Sequence, residues 1–149
     1  MDFMKILVLN GPNINMLGIR EKSIYGEESY AELCRKIYAL CEEKSIECEI
    51  FQSNHEGIII DKIQECYGKK DAVIVNPAAY THTSIAIADA IKAVGVPAVE
   101  VHISDPDSRE DFRKVNFIRP VCIKTVSGKG IDSYLEAIDF LSEYLKNEV

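Results

Sequence analysis

Polar side chains that could bind a ligand or move protons gather in three stretches of this sequence. Each stretch follows a short apolar run, and the stretches begin at Asn10, Asn76 and His102. Together they hold Asn13, Arg20, Tyr25, Asn76, His82, His102, Ser104, Arg109 and Arg113. Arginine and backbone N–H groups hold carboxylates, whereas Asn and His side chains bind hydroxyl groups. The set therefore favours proton transfer on an anionic, hydroxylated small molecule.

Tyr25 and Arg20 are the most informative pair within this set. A free phenol has a pKa of about 10 and is a poor base at neutral pH. A nearby guanidinium favours the phenolate and lowers that pKa, so Tyr25 could remove a weakly acidic C–H proton. His102 is the candidate general acid, because His is the side chain whose unperturbed pKa lies nearest neutrality.

Other reaction classes fit the same loops less well. A metal at His82 and His102 would be short of ligands, because no clustered carboxylate or Cys shares their loops. The chain has no GxGxxG or GK[ST] phosphate loop and no GxSxG nucleophile elbow. Its five cysteines form an odd set without a CxxC pair, which disfavours a disulfide framework or a zinc site.

Each of these side chains, taken alone, also has a purely structural explanation. Asn76 suits a turn before proline, and a lone His is more often a satisfied structural group than a catalyst. Arg109 and Arg113, which we expect four residues apart on one short acidic helix, could form surface salt bridges that contribute little. Their joint placement after predicted strands is what favours a site.

Composition narrows the function classes further. With 149 residues, of which 47% are hydrophobic, we expect one well-packed catalytic domain over residues 1–149. A net charge of −7 disfavours nucleic acid as a partner. No apolar run approaches the ~20 residues of a membrane span, and the N-terminus lacks a signal-peptide pattern. We therefore expect a cytoplasmic protein without membrane contact.

Predicted strands and helices alternate along the chain. Strands are expected around 6–9 and at 46–52, 71–76, 97–102 and 121–126. Helices are expected at 29–44, 84–94 and 131–146, with another capped by Ser53 or Asn54 and ended by Gly68. This order predicts an α/β fold, a flavodoxin-like three-layer sandwich with a five-stranded parallel sheet. Ligands of such sheets bind beyond the carboxyl ends of the strands.

Several longer motifs, in the same order and spacing, resemble type II 3-dehydroquinate dehydratase over essentially the whole chain. They are NGPN at 10–13, LGIRE at 17–21, YG at 25–26, QSNHEG at 52–57, NPAAYTHTS at 76–84 and EVHIS at 100–104. The resemblance implies a hydro-lyase of the shikimate pathway, which forms 3-dehydroshikimate from 3-dehydroquinate by anti elimination through an enolate. It also implies that neither a metal nor a cofactor takes part.

The resemblance further implies a role for each matching residue. Tyr25 looks like the base for the C2 proton, with Arg20 beside it. Asn13 would hold a water against the enolate oxygen, and His102 would protonate the departing C1 hydroxyl. Substrate hydroxyls and carboxylate would be bound by Asn76, His82, Ile103, Ser104 and Arg113, while Arg109 and the loop around Tyr25 resemble a mobile lid. Asp89 resembles a residue that enters a neighbouring subunit's site, in a homododecamer built from trimers.

One departure and two rival functions remain open at this point. The family usually has Asn after Ser104, where this chain has Asp105; its carboxylate should repel an anionic substrate unless it is turned away or paired. A flavodoxin-like binding module is one rival, as a flavin binder or a phosphoacceptor receiver. A receiver, however, needs acidic residues where Asn10 and Asn76 stand. The other rival is an assembly protein that keeps the fold without activity.

Overall fold

A parallel sheet of five strands organises the computed structural model, which describes residues 3–147. The strands are β1 (Met4–Asn10), β2 (Ile46–Gln52), β3 (Ala72–Asn76), β4 (Ala98–His102) and β5 (Lys124–Ser127). They lie in the order β2-β1-β3-β4-β5, and every neighbouring pair is parallel. This is the flavodoxin-like order, in which the direction of winding reverses between β1 and β3. The predicted fold class is confirmed.

Five α-helices connect or flank the strands. They are α1 (Lys22–Tyr25), α2 (Tyr30–Glu43), α3 (Glu56–Gln64), α4 (Ile85–Val94) and α5 (Asp132–Asn147). Short 3-10 segments lie at Ile14–Met16, Ala78–His82, Pro106–Ser108, Asp111–Lys114 and Arg119–Val121. In the described part of the chain, every helix is too short or too polar to cross a membrane.

The two faces of the sheet carry separate apolar cores. Ile6 and Val8 point to the core under α2 and α5, whereas Leu7 and Leu9 point to the core under α3 and α4. Successive side chains of a strand alternate between faces, so the continuous apolar run in β1 is what a strand covered on both sides requires.

The predicted starts of two helices, at 29 and 84, coincide with serines that cap them. Ser29 precedes α2, and its Oγ accepts the Glu32 N–H at 3.1 Å. Ser84 precedes α4 and accepts the Ile87 N–H at 2.9 Å, while Gly95 ends that helix with φ 76°. These contacts satisfy backbone groups that a helix end leaves without partners.

Three boundaries were predicted wrongly. Helix α3 ends at Gln64, and neither expected residue caps it: Ser53 Oγ accepts the His55 N–H at 3.0 Å and Asn54 Oδ1 accepts the Asn13 N–H at 3.0 Å. Strand β5 begins at Lys124, because the preceding Arg119–Val121 segment contains a proline and turns as a 3-10 helix. The single short helix expected around 109–113 is two 3-10 segments with Arg109 between them.

Candidate active site

A cleft lies beyond the carboxyl ends of β1, β3 and β4. All nine polar residues singled out in the sequence line it, and so does Ile103. Asp89, by contrast, is an exposed residue of α4 and is not part of the cleft wall formed by residues 3–147. The structure therefore brings together every predicted site residue except Asp89.

Tyr25 is held by two arginines within this cleft. Arg20 Nη2 donates a hydrogen bond to the phenol oxygen at 2.9 Å, and Arg109 Nη1 donates a second at 2.8 Å. The Arg20 guanidinium also lies over the Tyr25 ring, 4.1 Å from its centre. Two charged donors on one oxygen stabilise negative charge there. The contact from Arg109 was not foreseen, because 84 residues separate it from Tyr25.

His102 is buried at the end of β4 against a carboxylate. Its Nε2 lies 2.6 Å from Oε2 of the fully buried Glu100, which also accepts hydrogen bonds from Asn116 Nδ2 and Thr125 Oγ1, each at 2.7 Å. Burial alone would raise the pKa of Glu100, but the hydrogen bond from His102 and the other donors hold that pKa below its usual value. Glu100 is therefore ionised and accepts Nε2–H, which leaves Nδ1 of His102 for a ligand.

Glu100 is the functional residue that the sequence reasoning missed. It interrupts an otherwise apolar strand, where an unpaired carboxylate is costly. It also lies two residues before His102, so both side chains point to the same face of β4. These two features together were the signal that could have identified it.

His82 offers the cleft a hydrogen-bond acceptor. Its Nδ1 lies 2.7 Å from the Val115 carbonyl oxygen, which can only accept, so Nδ1 carries the proton. Burial lowers the pKa of His82, and the positive charge of Arg113 adds to this against the opposing effect of the Val115 contact. A neutral ring results, with the lone pair of Nε2 available to a ligand.

A close backbone contact fixes the path of the loop that follows β1. Gly11 N–H donates to the Asn76 carbonyl at 2.8 Å, and a Cβ on Gly11 would lie 2.5 Å from the Pro77 carbonyl oxygen. Glycine is therefore needed at this position for close backbone approach, although its φ is not positive. The left-handed residue is Asn13, with φ 68°, a conformation that Asn tolerates well. This turn places Asn13 in the cleft wall.

The segment after β4 contains both paired and unpaired charges. Arg113 lines the cleft and donates from Nε to Glu110 Oε2 at 2.6 Å, so the expected salt bridge is present at a site residue. Asp105 is exposed, caps the Pro106–Ser108 segment by accepting the Asp107 N–H at 3.1 Å, and is not part of the described cleft wall. Of the alternatives for Asp105, the structure shows the carboxylate turned away from the site.

The donor set of the cleft suits an anion. Within residues 3–147, no group of three or more His, Cys, Asp or Glu side chains is arranged to hold a metal ion. The cleft instead presents guanidinium, amide, imidazole and phenol groups. Such groups bind carboxylates and hydroxyls through directional hydrogen bonds.

Comparison with known proteins assigns this chain to a family. The model of the family described as dehydroquinase class II matches residues 4–142. This chain belongs to the class II dehydroquinase family. Among curated relatives, a 3-dehydroquinate dehydratase of Caldicellulosiruptor bescii is 55% identical over 142 residues, covering 95% of this chain and 98% of that protein. One from Fusobacterium nucleatum is 56% identical over 144 residues, covering 95% and 98%.

Solved structures similar to this chain share the fold described above. A type II dehydroquinase from Butyrivibrio crossotus superposes with a TM-score of 0.92 at 52% identity, covering 93% of this chain and 97% of that chain. A 3-dehydroquinate dehydratase-like protein from Bifidobacterium longum gives a TM-score of 0.73 at 29% identity, covering 96% and 98%. Class II dehydroquinase membership confirms the predicted family, the flavodoxin-like fold and the enzyme class, a hydro-lyase. Family membership gives no support to the rival interpretations of the chain as a phosphoacceptor receiver or a flavin-binding module.

Proposed function

We propose that this chain dehydrates 3-dehydroquinate to 3-dehydroshikimate in the shikimate pathway, by an anti elimination through an enolate. The observation that carries the proposal is Tyr25 held by two arginines in the same cleft as His102, which contacts the buried Glu100 behind it. This combination supplies a base and an acid from different loops. An anti elimination needs that separation, because the proton and the hydroxyl leave from opposite faces.

Tyr25 supplies the basic half of the reaction. Its phenolate, held by Arg20 and Arg109, removes a proton from C2, which the neighbouring C3 carbonyl makes acidic. The electron pair moves into an enolate whose charge develops on the C3 oxygen. Asn13, at the cleft wall, holds a water against that oxygen, where a donor stabilises the transition state more than the ground state.

His102 supplies the acidic half. Its Nδ1–H protonates the hydroxyl that leaves C1 as water, and the enolate collapses to the conjugated enone. Glu100 is a positioning residue in this step, because its carboxylate fixes the ring through Nε2 and stabilises the imidazolium form. After release, the Tyr25 proton returns to solvent and His102 takes up a new one.

The remaining cleft residues bind the substrate. His82 accepts a hydrogen bond from a substrate hydroxyl through Nε2, and Asn76 binds a second polar group. Arg113 and the Ile103–Ser104 segment hold hydroxyl and carboxylate oxygens. Arg109 acts in the lid together with the loop that carries Tyr25, so closing the lid also completes the support of the base.

Asp89 and the oligomeric state form a separate part of the proposal. Asp89 is exposed on α4, and we propose that it enters the cleft of a neighbouring subunit in a homododecamer built from trimers. Mixing Tyr25→Phe chains with Asp89→Ala chains under subunit exchange should restore part of the activity that each variant lacks. If mixed oligomers recover none, Asp89 has no role in a neighbouring site. Sedimentation of the wild-type protein checks the assembly size.

Turnover of 3-dehydroquinate tests the whole assignment. The protein should produce a rise of enone absorbance in the ultraviolet, and dialysis against a chelator should leave the rate unchanged. If the absorbance does not rise, the alternative that the chain is an inactive assembly protein is favoured. Substrate deuterated at C2 tests the stereochemistry. Deuterium trans to the C1 hydroxyl should be lost, and loss of the cis label would contradict an anti elimination.

A further inference from the structure

Tyr134 bridges the two strands between which the sheet changes its winding direction. It lies in the first turn of α5 and is fully buried. Its phenol oxygen accepts a hydrogen bond from Asn76 Nδ2 at 2.8 Å and donates to Asn10 Oδ1 at 2.6 Å. Asn10 and Asn76 are register partners at the ends of β1 and β3. One hydroxyl group therefore links the starting points of two loops that form the cleft.

The direction of these hydrogen bonds fixes the orientation of the Asn76 amide. Burial raises the pKa of Tyr134, so the phenol remains protonated, and its single hydrogen goes to Asn10. An amide nitrogen can only donate, so Asn76 Nδ2 must face Tyr134. Asn76 Oδ1 accepts the Ala78 N–H at 3.1 Å on the other side. A rotated amide would place two acceptors or two donors against each other.

We infer that Tyr134 is a positioning residue that makes Asn76 present a hydrogen-bond donor to the substrate. Asn76 Nδ2 has two hydrogens, of which one goes to Tyr134; within residues 3–147 the second has no partner, and Asn76 lines the cleft. Asn76 therefore binds a hydroxyl or carboxylate oxygen that accepts. His82 presents an acceptor in the same cleft. Hydroxyl groups both accept and donate hydrogen bonds, so a hydroxylated ligand can accept from Asn76 and donate to His82.

This inference rests on the proposed function, and the variant Tyr134→Phe tests it with 3-dehydroquinate. The substitution removes only the hydroxyl and leaves the Asn76 amide with one of its two orienting contacts, the Ala78 N–H. We expect KM to rise about tenfold, the usual effect of losing one hydrogen bond of this kind, with kcat within about twofold. If the wild-type protein is active and KM is unchanged in Tyr134→Phe, this inference is wrong and the proposed function stands. A wild-type protein without turnover would instead overturn the proposed function.

Ser133→Ala is the matched control on the same helix. Ser133 is buried and directly precedes Tyr134, and its Oγ accepts the Lys129 N–H at 3.1 Å, so the variant also removes a hydrogen bond from a buried side chain. It does not alter the contacts of Asn76, and its KM should equal that of the wild type. An equal rise of KM in both variants would mean that general loosening of α5 explains the effect, and it would overturn the inference.

A double-mutant cycle separates positioning from general stability. If Tyr134 acts through Asn76, adding Tyr134→Phe to Asn76→Ala should change KM by less than about twofold, because the oriented group is already absent. Additive effects on KM would overturn the inference. Thermal unfolding of each variant, followed by circular dichroism, confirms that the assays are made on folded protein.

The wild-type protein allows a test that does not depend on a variant folding. In nuclear magnetic resonance spectra of the Asn76 side chain, the hydrogen donated to Tyr134 should exchange slowly with solvent. The other should exchange faster and shift when 3-dehydroshikimate, the product, is added. If the two hydrogens exchange equally, or if the product shifts neither, the inference is wrong.

Discussion

Two charged clefts lie at opposite edges of the same sheet, and their charged side chains have different kinds of partner. The cleft near the amino ends of β1, β2 and β3 is lined by lysines and glutamates. Glu49 accepts from Lys62 Nζ at 2.7 Å and from Lys70 Nζ at 3.2 Å. The hydrogen bond from Lys62 is the main cause that lowers the pKa of Glu49. Charges at this edge neutralise one another at the surface, where ion pairs contribute little.

In the active-site cleft, at the carboxyl edge, charged groups contact the side chains proposed as base and acid. Arg20 and Arg109 both donate to the phenol of Tyr25, and His102 contacts a carboxylate that is fully buried. Charge held where water is partly excluded costs free energy unless it is paired and hydrogen-bonded. Charge density alone therefore does not mark the site. What marks it is charge placed directly against the phenol of Tyr25 and the imidazole of His102.

Of the paired substitutions at the two edges, Tyr25→Phe and its control should differ most in kcat. Without the phenol oxygen no base remains at this position, so kcat should fall by at least about 10²-fold. Steady-state kinetics with 3-dehydroquinate measures the effect. Tyr67→Phe, an equivalent change at an exposed residue near the amino edge, is the control and should leave kcat unchanged. Near-normal turnover in Tyr25→Phe would remove this residue from the base role.

Glu100→Gln should lower kcat by about 10- to 100-fold, the range expected when a hydrogen bond to a charged group is lost. The amide keeps the shape of the side chain but no longer stabilises the imidazolium of His102. Glu49→Gln makes the same change at the amino edge, where the carboxylate only pairs with lysines, and should not alter kcat. Equal effects of the two substitutions would mean that the edges do not differ in function.

Glu100 should also affect the stability of the fold in acid. The pKa of Glu100 is lower in the folded protein than its ordinary value of 4.5, so protons bind more tightly to the unfolded chain. The stability that Glu100 contributes is therefore fully present above pH 4.5 and is lost as the pH falls below it. Urea unfolding at pH 7 and near pH 3 should show that Glu100→Gln loses less stability on acidification than the wild type. A larger loss in the variant would contradict this sign.

The sequence predicted the elements of this fold and most of the site, but not the contacts between distant segments. Apolar runs and capping residues located β1 and α4, because those signals act over a few residues. The contact of Arg109 with Tyr25 depends on how two loops meet across the cleft, and no local pattern encodes it. Glu100 was visible as a carboxylate inside a buried strand, yet only the packed structure shows what surrounds it.

Gly11→Ala tests whether the active-site edge depends on close backbone packing. The new Cβ would lie 2.5 Å from the Pro77 carbonyl oxygen, so one loop must shift, at a cost of about 1–3 kcal/mol in the free energy of unfolding. Urea denaturation measures this cost. Gly57→Ala is the control, since its Cβ meets nothing within 4 Å and alanine favours α3. Equal stability of Gly11→Ala and wild type would show that the loop accommodates the methyl group.

Asp105→Asn should have the smallest effect, because this carboxylate lies beside the site without belonging to either cleft. Asp105 is exposed and uses Oδ1 to accept the Asp107 N–H, and asparagine can make the same contact. Repulsion of the substrate from this position is screened by water. We therefore expect KM to change by less than about twofold. A severalfold fall of KM in Asp105→Asn would show that the carboxylate does repel the substrate, and that the active-site edge contains an unfavourable charge after all.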